Sequence, residues 1–330
     1  MEERKIIARI CAMAAPVVVA TLALMPPAIQ AGFPDRPIRL VLPYAAGAAS
    51  DMLTRELGSG LQTEFGVAVI IENKPGGGTV VGANYVAKQP ADGYTVLMIG
   101  PATHVIAPAI QPNLPYNAAK DFDLVGTWAV VGSMISVHPS LPVKTLKELV
   151  EYSRKNPGKL YYSSAGIGTG PHLAGETFKE MTGANLTHVP YKGAAPATMA
   201  LLAGEVQVSF VNIPPQVPHV KAGKILPLAV LSPVRSTLLP DVPTTAEAGL
   251  PACISESWNG LAVPAGTPAA VRTRLEQAMF KVGADPERKA RMAAGGAEVK
   301  LMHPKETAEY IRAEVLRLDP VIKKLDLKAE

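Results

Sequence analysis

The stretch IRLVLPYAAGAASD, residues 38–51, decides the fold. Ile38 to Pro43 is an aliphatic run with no turn residue inside it, the pattern of a strand buried on both faces. Tyr44 to Asp51 follows as a loop of mostly small side chains, and Asp51 to Phe65 has the apolar spacing of a helix. A buried strand that turns directly into a helix belongs to α/β layers around a parallel sheet. Ligands of such sheets sit beyond the carboxyl ends of the strands, where the helices begin.

Working outward, Val67 to Glu72 reads as the next strand, Gly76 to Gly78 as a turn, Val81 to Lys88 as a second helix and Tyr94 to Ile99 as a third strand. A similar unit follows, with helices over Leu146 to Asn156, His172 to Thr182 and Pro196 to Ala203. Its strands are expected at Leu160 to Ser163, Leu186 to Val189 and Val206 to Val211. Val130 to His138, apolar and free of turn residues, is expected to cross from one unit to the other, with a second crossing near Trp258 to Val263. Thr267 to Lys281 and Lys305 to Leu318 are helices without enough strand for a third domain, so the chain is expected to return to its first lobe. The predicted class is α/β with two lobes: residues 32–131 with 259–330, and residues 132–258.

The amino terminus reads as an address. Arg4, Lys5 and Arg9 precede an apolar run from Ile10 to Met25, followed by Pro26, Pro27 and the small residues Ala28 to Gly32. That order is a secretory signal peptide over residues 1–31, cleaved near Ala31. The run is interrupted at Pro16 and is too short for a membrane span, which needs about 20 apolar residues. With Cys11 in the leader, the mature chain holds Cys253 alone, which excludes an intramolecular disulfide.

Composition narrows the function classes. A chain of 330 residues with 48% hydrophobic and 18% charged residues can bury a sizeable core. A net charge of +4 spread over that length, without basic runs interleaved with aromatics, argues against nucleic acid as a partner. Six scattered histidines and no HExxH motif give no support for a metal.

Two strand-to-helix loops carry the chemistry. In the first, Tyr44, Gly47, Ala48, Ala49, Ser50 and Asp51 leave backbone N–H groups open to an anion at a helix start. Ser50 and Asp51 also suit plain capping and first-turn roles, and Asp51 taken alone reads first that way. The second loop, SSAGIGTGPH over 163–172, offers Ser164, Gly166, Gly168, Thr169 and His172. Its glycines follow GxGxG, so neither the dinucleotide fingerprint nor the phosphate-loop lysine pattern is present. No GxSxG elbow joins Ser164 to a base, and His172 at a helix start reads as a hydrogen-bonding or packing residue. Tyr191, Thr103, His104 and Asn212 follow strands and face the same presumed cleft. A rival reading, a hydrolase or transferase using Asp51, His104 and His172, lacks a nucleophile–base pair in the sequence. A third reading is a receptor whose liganded form engages a sensor protein.

Read together, FPDRPIRLVLPYAAGAASD (33–51), ENKPGGGTVVGA (72–83), ADGYTVLM (91–98), Asp121-Phe122, SSAGIGTGPHLAGE (163–176), HVPYKGAAPA (188–197), LPDVPTTAEAGLP (239–251) and GLAVPAGTP (260–268) resemble the periplasmic receptors of tripartite tricarboxylate transporters, the Bug-type binding proteins. The resemblance covers nearly the whole mature chain. It implies a two-lobed periplasmic binding protein of type II-like topology with two crossover strands. Such a protein closes over an organic acid held by Tyr44 to Asp51 on one jaw and Ser164 to Thr169 with His172 on the other. It also implies integral-membrane permease subunits as partners, a monomer, no cofactor and no catalysis. The sequence departs from the family where Ala48 replaces a second glycine, Ala107 an asparagine and Val211 an acidic residue; those positions bear on the ligand's identity.

Overall fold

The computed structural model describes residues 32–46 and 49–325. The leader expected over residues 1–31, and Gly47 and Ala48 of the first loop, lie outside the described residues.

Strand β1 (Ile38–Leu42) lies between β2 (Val69–Asn73) and β3 (Thr95–Ile99), paired parallel to both. All of β3 is buried, as its continuous apolar run requires in a sheet covered on both faces. The crossovers are α1 (Ala49–Phe65) and α2 (Val80–Ala87). Gly82 lets α2 come close: a Cβ there would stand 2.8 Å from the Lys74 carbonyl and 2.9 Å from the Pro43 side chain. After β3 a wide-turn helix over Ala102–Ile106 runs into α3 (Ala107–Ile110). No helix is expected there from the sequence; in the structure Pro101 caps the wide-turn segment and Pro108 sits in the first turn of α3, a position that needs no amide hydrogen.

Strand β4 (Phe122–Val137) is longer than the crossing expected from Val130 to His138 and serves two sheets. Its first half pairs antiparallel with β9 (Glu256–Pro264) and with β10 (Glu298–Met302). Its second half pairs antiparallel with β7 (Val208–Asn212) and β8 (Leu226–Val230). In the first sheet the order runs β2-β1-β3-β9-β4; in the second it runs β4-β7-β5-β6, with β5 (Tyr161–Ser164) parallel to β6 (Thr187–Pro190) and to β7. The helices α4 (Leu146–Lys155), α5 (Gly170–Thr182), α6 (Ala194–Leu202) and α7 (Val217–Lys221) lie in the segments around the second sheet's strands. The chain then passes through β9 to α8 (Ala269–Ala284), α9 (Pro286–Ala294), β10 and α10 (Pro304–Lys324).

The molecule is thus an α/β protein of two lobes joined by β4 and β9. At the join, Leu231 N donates to Ser133 O at 2.8 Å, Ser255 N to Leu231 O at 2.8 Å and Ser133 N to Ser255 O at 3.2 Å. Below this junction β4 and β9 approach closely, and a Cβ on Gly260 would stand 2.5 Å from the Gly126 carbonyl. Gly126 itself has φ 144°, at a shift in the β4–β9 register.

Each sheet builds its own core. Leu97, Ile99, Phe122 and Trp258 pack with Leu318, Val321 and Ile322 of α10. Tyr162, Phe178 and Phe210 pack with Leu149, Leu228 and Cys253. Truncating one such buried side chain to alanine costs about 2–5 kcal/mol, so these clusters fix the platforms from which the loops project. Burial raises the Cys253 thiol to about 12, leaving it an inert core residue.

Candidate functional site

A cavity of about 660 Å³ opens where the loops at the carboxyl ends of the strands face one another. Its floor is the junction itself, with Val131 of β4, Ser257, Trp258 and Asn259 of β9, and Asn212 at the end of β7. Asn212 Nδ2 lies 3.2 Å from both Ser133 Oγ and Ser257 Oγ, so the floor is an ordered polar surface.

Four helix amino termini reach this space, two on each side. From the first sheet come Ser50 in the first turn of α1 and Gly77, Gly78 and Thr79 leading into α2. From the second come Thr169, Gly170 and Pro171 opening α5, and Gly193 and Ala194 opening α6. Neither α2 nor α6 has a side-chain cap; in α2 the Val80 and Val81 amides donate to the Gly77 and Gly76 carbonyls, whereas the first amides of α6 are left open to another acceptor. The start of α5 packs onto the junction, where a Cβ on Gly170 would stand 3.2 Å from Ser255 Oγ.

The first loop is stapled from below. Asn73 Nδ2 donates to the Tyr44 carbonyl at 3.0 Å and to Asp51 Oδ1 at 3.1 Å, while Arg55 Nε binds Asp51 Oδ2 at 3.1 Å. Asp51 is buried and serves as the anchor of the loop, its first-turn role; Ala49 is the first residue of α1. Tyr44 lines the cavity, with its hydroxyl 3.8 Å from a Cβ built on Gly100. Burial pushes this phenol up to about 12, which keeps it a neutral hydrogen-bonding group.

Next to it the GGG turn runs through φ values of 129°, 54° and 62°, conformations natural only to glycine. Thr79 then takes φ 92°, an outlier for a β-branched residue. It is buried in the cavity wall, and its hydroxyl makes no hydrogen bond. The nearby Tyr116 phenol donates instead to the Thr103 carbonyl at 2.8 Å. Backbone strain at a cavity wall marks a position shaped for function rather than for stability.

The residues expected at the site divide into wall and support. Tyr44, Ser50, Gly168, Thr169 and Asn212 form the wall. Thr103 and His104 turn into the core instead: Thr103 Oγ1 bonds Gly100 and His104 Nδ1, and the His104 ring packs against Phe122. Their helix presents Ala102, Ile106, Ala107 and Ile110 to the cavity, because positions four apart share a face. Burial drives His104 down to about 4, so it is neutral.

Ser164 and Gly166 lie behind the second loop, with Ser164 Oγ bonding the Gly166 amide and His188 Nε2 at 2.7 Å. His172 stacks on His188 at 4.2 Å between ring centroids, and Tyr191 donates its amide to Ser164 O. Desolvation holds both histidines below their usual range, with His188 pushed down to about 4. Ser164 therefore pairs with His188, not with His172, and it is fully buried, away from the cavity wall. Asp51 is engaged by Asn73 and Arg55, His104 by Thr103 and Phe122, and His172 by Gly168 and His188, so the three do not assemble into a catalytic group.

Several wall residues escaped the sequence reading. Ile106, Ile110 and Gln111 look like ordinary helix or loop residues, and Ser257 and Asn259 like part of a strand; the GGGT turn was the one visible signal. Among the described residues, the wall contains no Lys, Arg, Asp or Glu.

Comparison with known proteins agrees with this architecture. Residues 53–327 match the model of the tripartite tricarboxylate transporter family receptor. Protein BugT of Bordetella pertussis is 30% identical over 313 residues, covering 94% of this chain and 96% of its own. A solved structure, R. palustris Rpa4515 with adipate, has a TM-score of 0.79 at 35% identity, covering 90% of this chain and 99% of that one. The periplasmic binding protein BugD has a TM-score of 0.75 at 33% identity, covering 90% and 100%. MatC from Rhodopseudomonas palustris, solved with bound malate, has a TM-score of 0.75 at 29% identity, covering 88% and 100%.

Proposed function

The chain belongs to the tripartite tricarboxylate transporter receptor family, and from that premise we propose that it captures a small carboxylate in the cleft and hands it to membrane permease subunits. It is a solute-binding receptor of the periplasmic type and not an enzyme. In this reading residues 1–31 are removed on export and the mature protein is a monomer without a cofactor. Its lobes are residues 32–131 with 259–330, and residues 132–258.

One observation carries the ligand class: four helix amino termini from two sheets meet at a cavity whose wall, among the described residues, holds no charged side chain. Free N–H groups and helix dipoles favour an anion there, and each hydrogen bond to a charged group contributes about 1.5–3 kcal/mol. A neutral wall binds a carboxylate through directed amides and hydroxyls, and no cation of the protein has to be desolvated when the guest enters. Closure about β4 and β9 excludes water and strengthens those bonds; opening releases the guest. The related proteins solved with adipate and malate support the same class.

The test is calorimetry of the mature protein against mono-, di- and tricarboxylates. Micromolar or tighter binding of a carboxylate, with no heat from the matching amides or alcohols, is the expected result. Absence of binding to every acid tested sinks the reading.

A further inference from the structure

The cavity has two chemically different ends. At the junction the floor offers Asn212, Ser257 and Asn259, and the first lobe adds Ser50 and Tyr44. Away from it, Ile106 and Ile110 on the first lobe stand across from Gly168 on the second, and a Cβ placed on Gly168 would lie 3.9 Å from both isoleucine side chains. Ile167 continues this wall and is held 56% exposed at the edge of the open cleft. A large aliphatic side chain kept in water beside a binding cleft indicates a surface that is covered when the cleft is filled.

Neither lysine that neighbours the cavity belongs to its wall. Lys74 flanks the wall but is engaged by Glu72 at 3.5 Å and by the Tyr85 ring. Lys192, before wall residue Gly193, is exposed and makes no ion pair among the described residues. A second carboxylate among Ile106, Ile110 and Ile167 would lose its water where the Gly168 amide is already given to His172 and the Thr169 hydroxyl to the Gly166 carbonyl, a heavy penalty.

Resting on the carboxylate reading above, we infer that the preferred ligand is a monocarboxylic acid with a hydrocarbon chain or ring as its other end, and not a dicarboxylic acid. The carboxylate sits among the helix amino termini near the junction. The hydrocarbon tail lies between Ile106 and Ile110 on one side and Ile167 and Gly168 on the other.

Calorimetry on the mature protein with acids paired by carbon number tests this: hexanoate against adipate, octanoate against suberate, and benzoate against terephthalate. The monoacid of each pair is expected to bind at least tenfold more tightly. Along the aliphatic monoacids, affinity rises about fourfold per added methylene, the equivalent of ~0.8 kcal/mol, until the apolar wall is filled. Ile167→Lys, a change at an exposed position, is expected to narrow or reverse the preference within each pair. Diacids binding as tightly as monoacids, or more tightly with the advantage lost in Lys192→Ala, would overturn the inference while leaving the carboxylate reading intact. Failure of every acid to bind overturns both.

Discussion

The amide of Gly168, in the cleft wall, donates to Nδ1 of His172 at 3.2 Å. The bond requires Nδ1 to be unprotonated, and it ties the cavity loop to a histidine buried behind it. His172 stacks on His188 at 4.2 Å; His188 meets Ser164 on one side and the Tyr162 ring on the other, with Glu176 and Lys179 nearby.

This arrangement sets the response to acid. His104, His172 and His188 are all held below the usual histidine value, burial being the main cause, with His104 and His188 at about 4. The unfolded chain takes up protons near pH ~6.5 that the folded chain refuses. Stability is therefore expected to be full above that pH, to fall as pH drops toward about 4, and to level off for these groups below it. Glu176 and Glu247, whose values are lowered, lose their contribution only below the ordinary carboxylate range. Melting temperatures from pH 8 to pH 4 check this, and the slope between pH 6.5 and 4.5 should shrink in His104→Leu. A flat profile over that window contradicts it.

Asn73 holds the first loop through the Tyr44 carbonyl and Asp51. Asn73→Ala is expected to cost about 1–2 kcal/mol of stability and to weaken ligand binding about tenfold, because the loop amides lose their orientation. Hydrogen exchange of residues 44–46 and 49–51 should accelerate in parallel. An unchanged affinity would show that the staple does not position the site.

Thr79 stores strain at φ 92° with an unsatisfied hydroxyl. Thr79→Gly relieves the backbone, so stability should hold or rise within about 1 kcal/mol, while affinity falls severalfold as the wall loses a side chain and the GGG turn its restraint. The two quantities moving down together would assign the residue an ordinary packing role.

Gly260 and Gly126 allow β4 and β9 to approach below the junction, with no room for a Cβ at Gly260. Gly260→Ala should destabilise the fold by about 2–3 kcal/mol, read as a lower urea midpoint with an unchanged slope. A variant as stable as the parent would mean that the two strands can separate at that point without cost.

The parts legible in the sequence were those set by neighbours along the chain. IRLVLP followed by small residues and Ser-Asp gives strand, loop and helix start by local chemistry alone, and the 163–172 loop does the same. Strands β8 and β10 were not visible. LPLAV contains Pro227, and EVKLM has all five residues half-buried, so neither shows a clear pattern; both exist because β4 offers them an edge to pair with.

What the sequence determined by itself was the alternation of elements and two loops whose backbone lies open at helix starts, since these depend on side chains a few residues apart. Only the tertiary structure decided which of those loops share one cavity and that Ile106, not His104, lines it. It alone also set Ser164 against His188, 24 positions away. Such relations arise from the order of strands in the sheets and from the single long strand that spans both, and no local pattern of residues encodes that order.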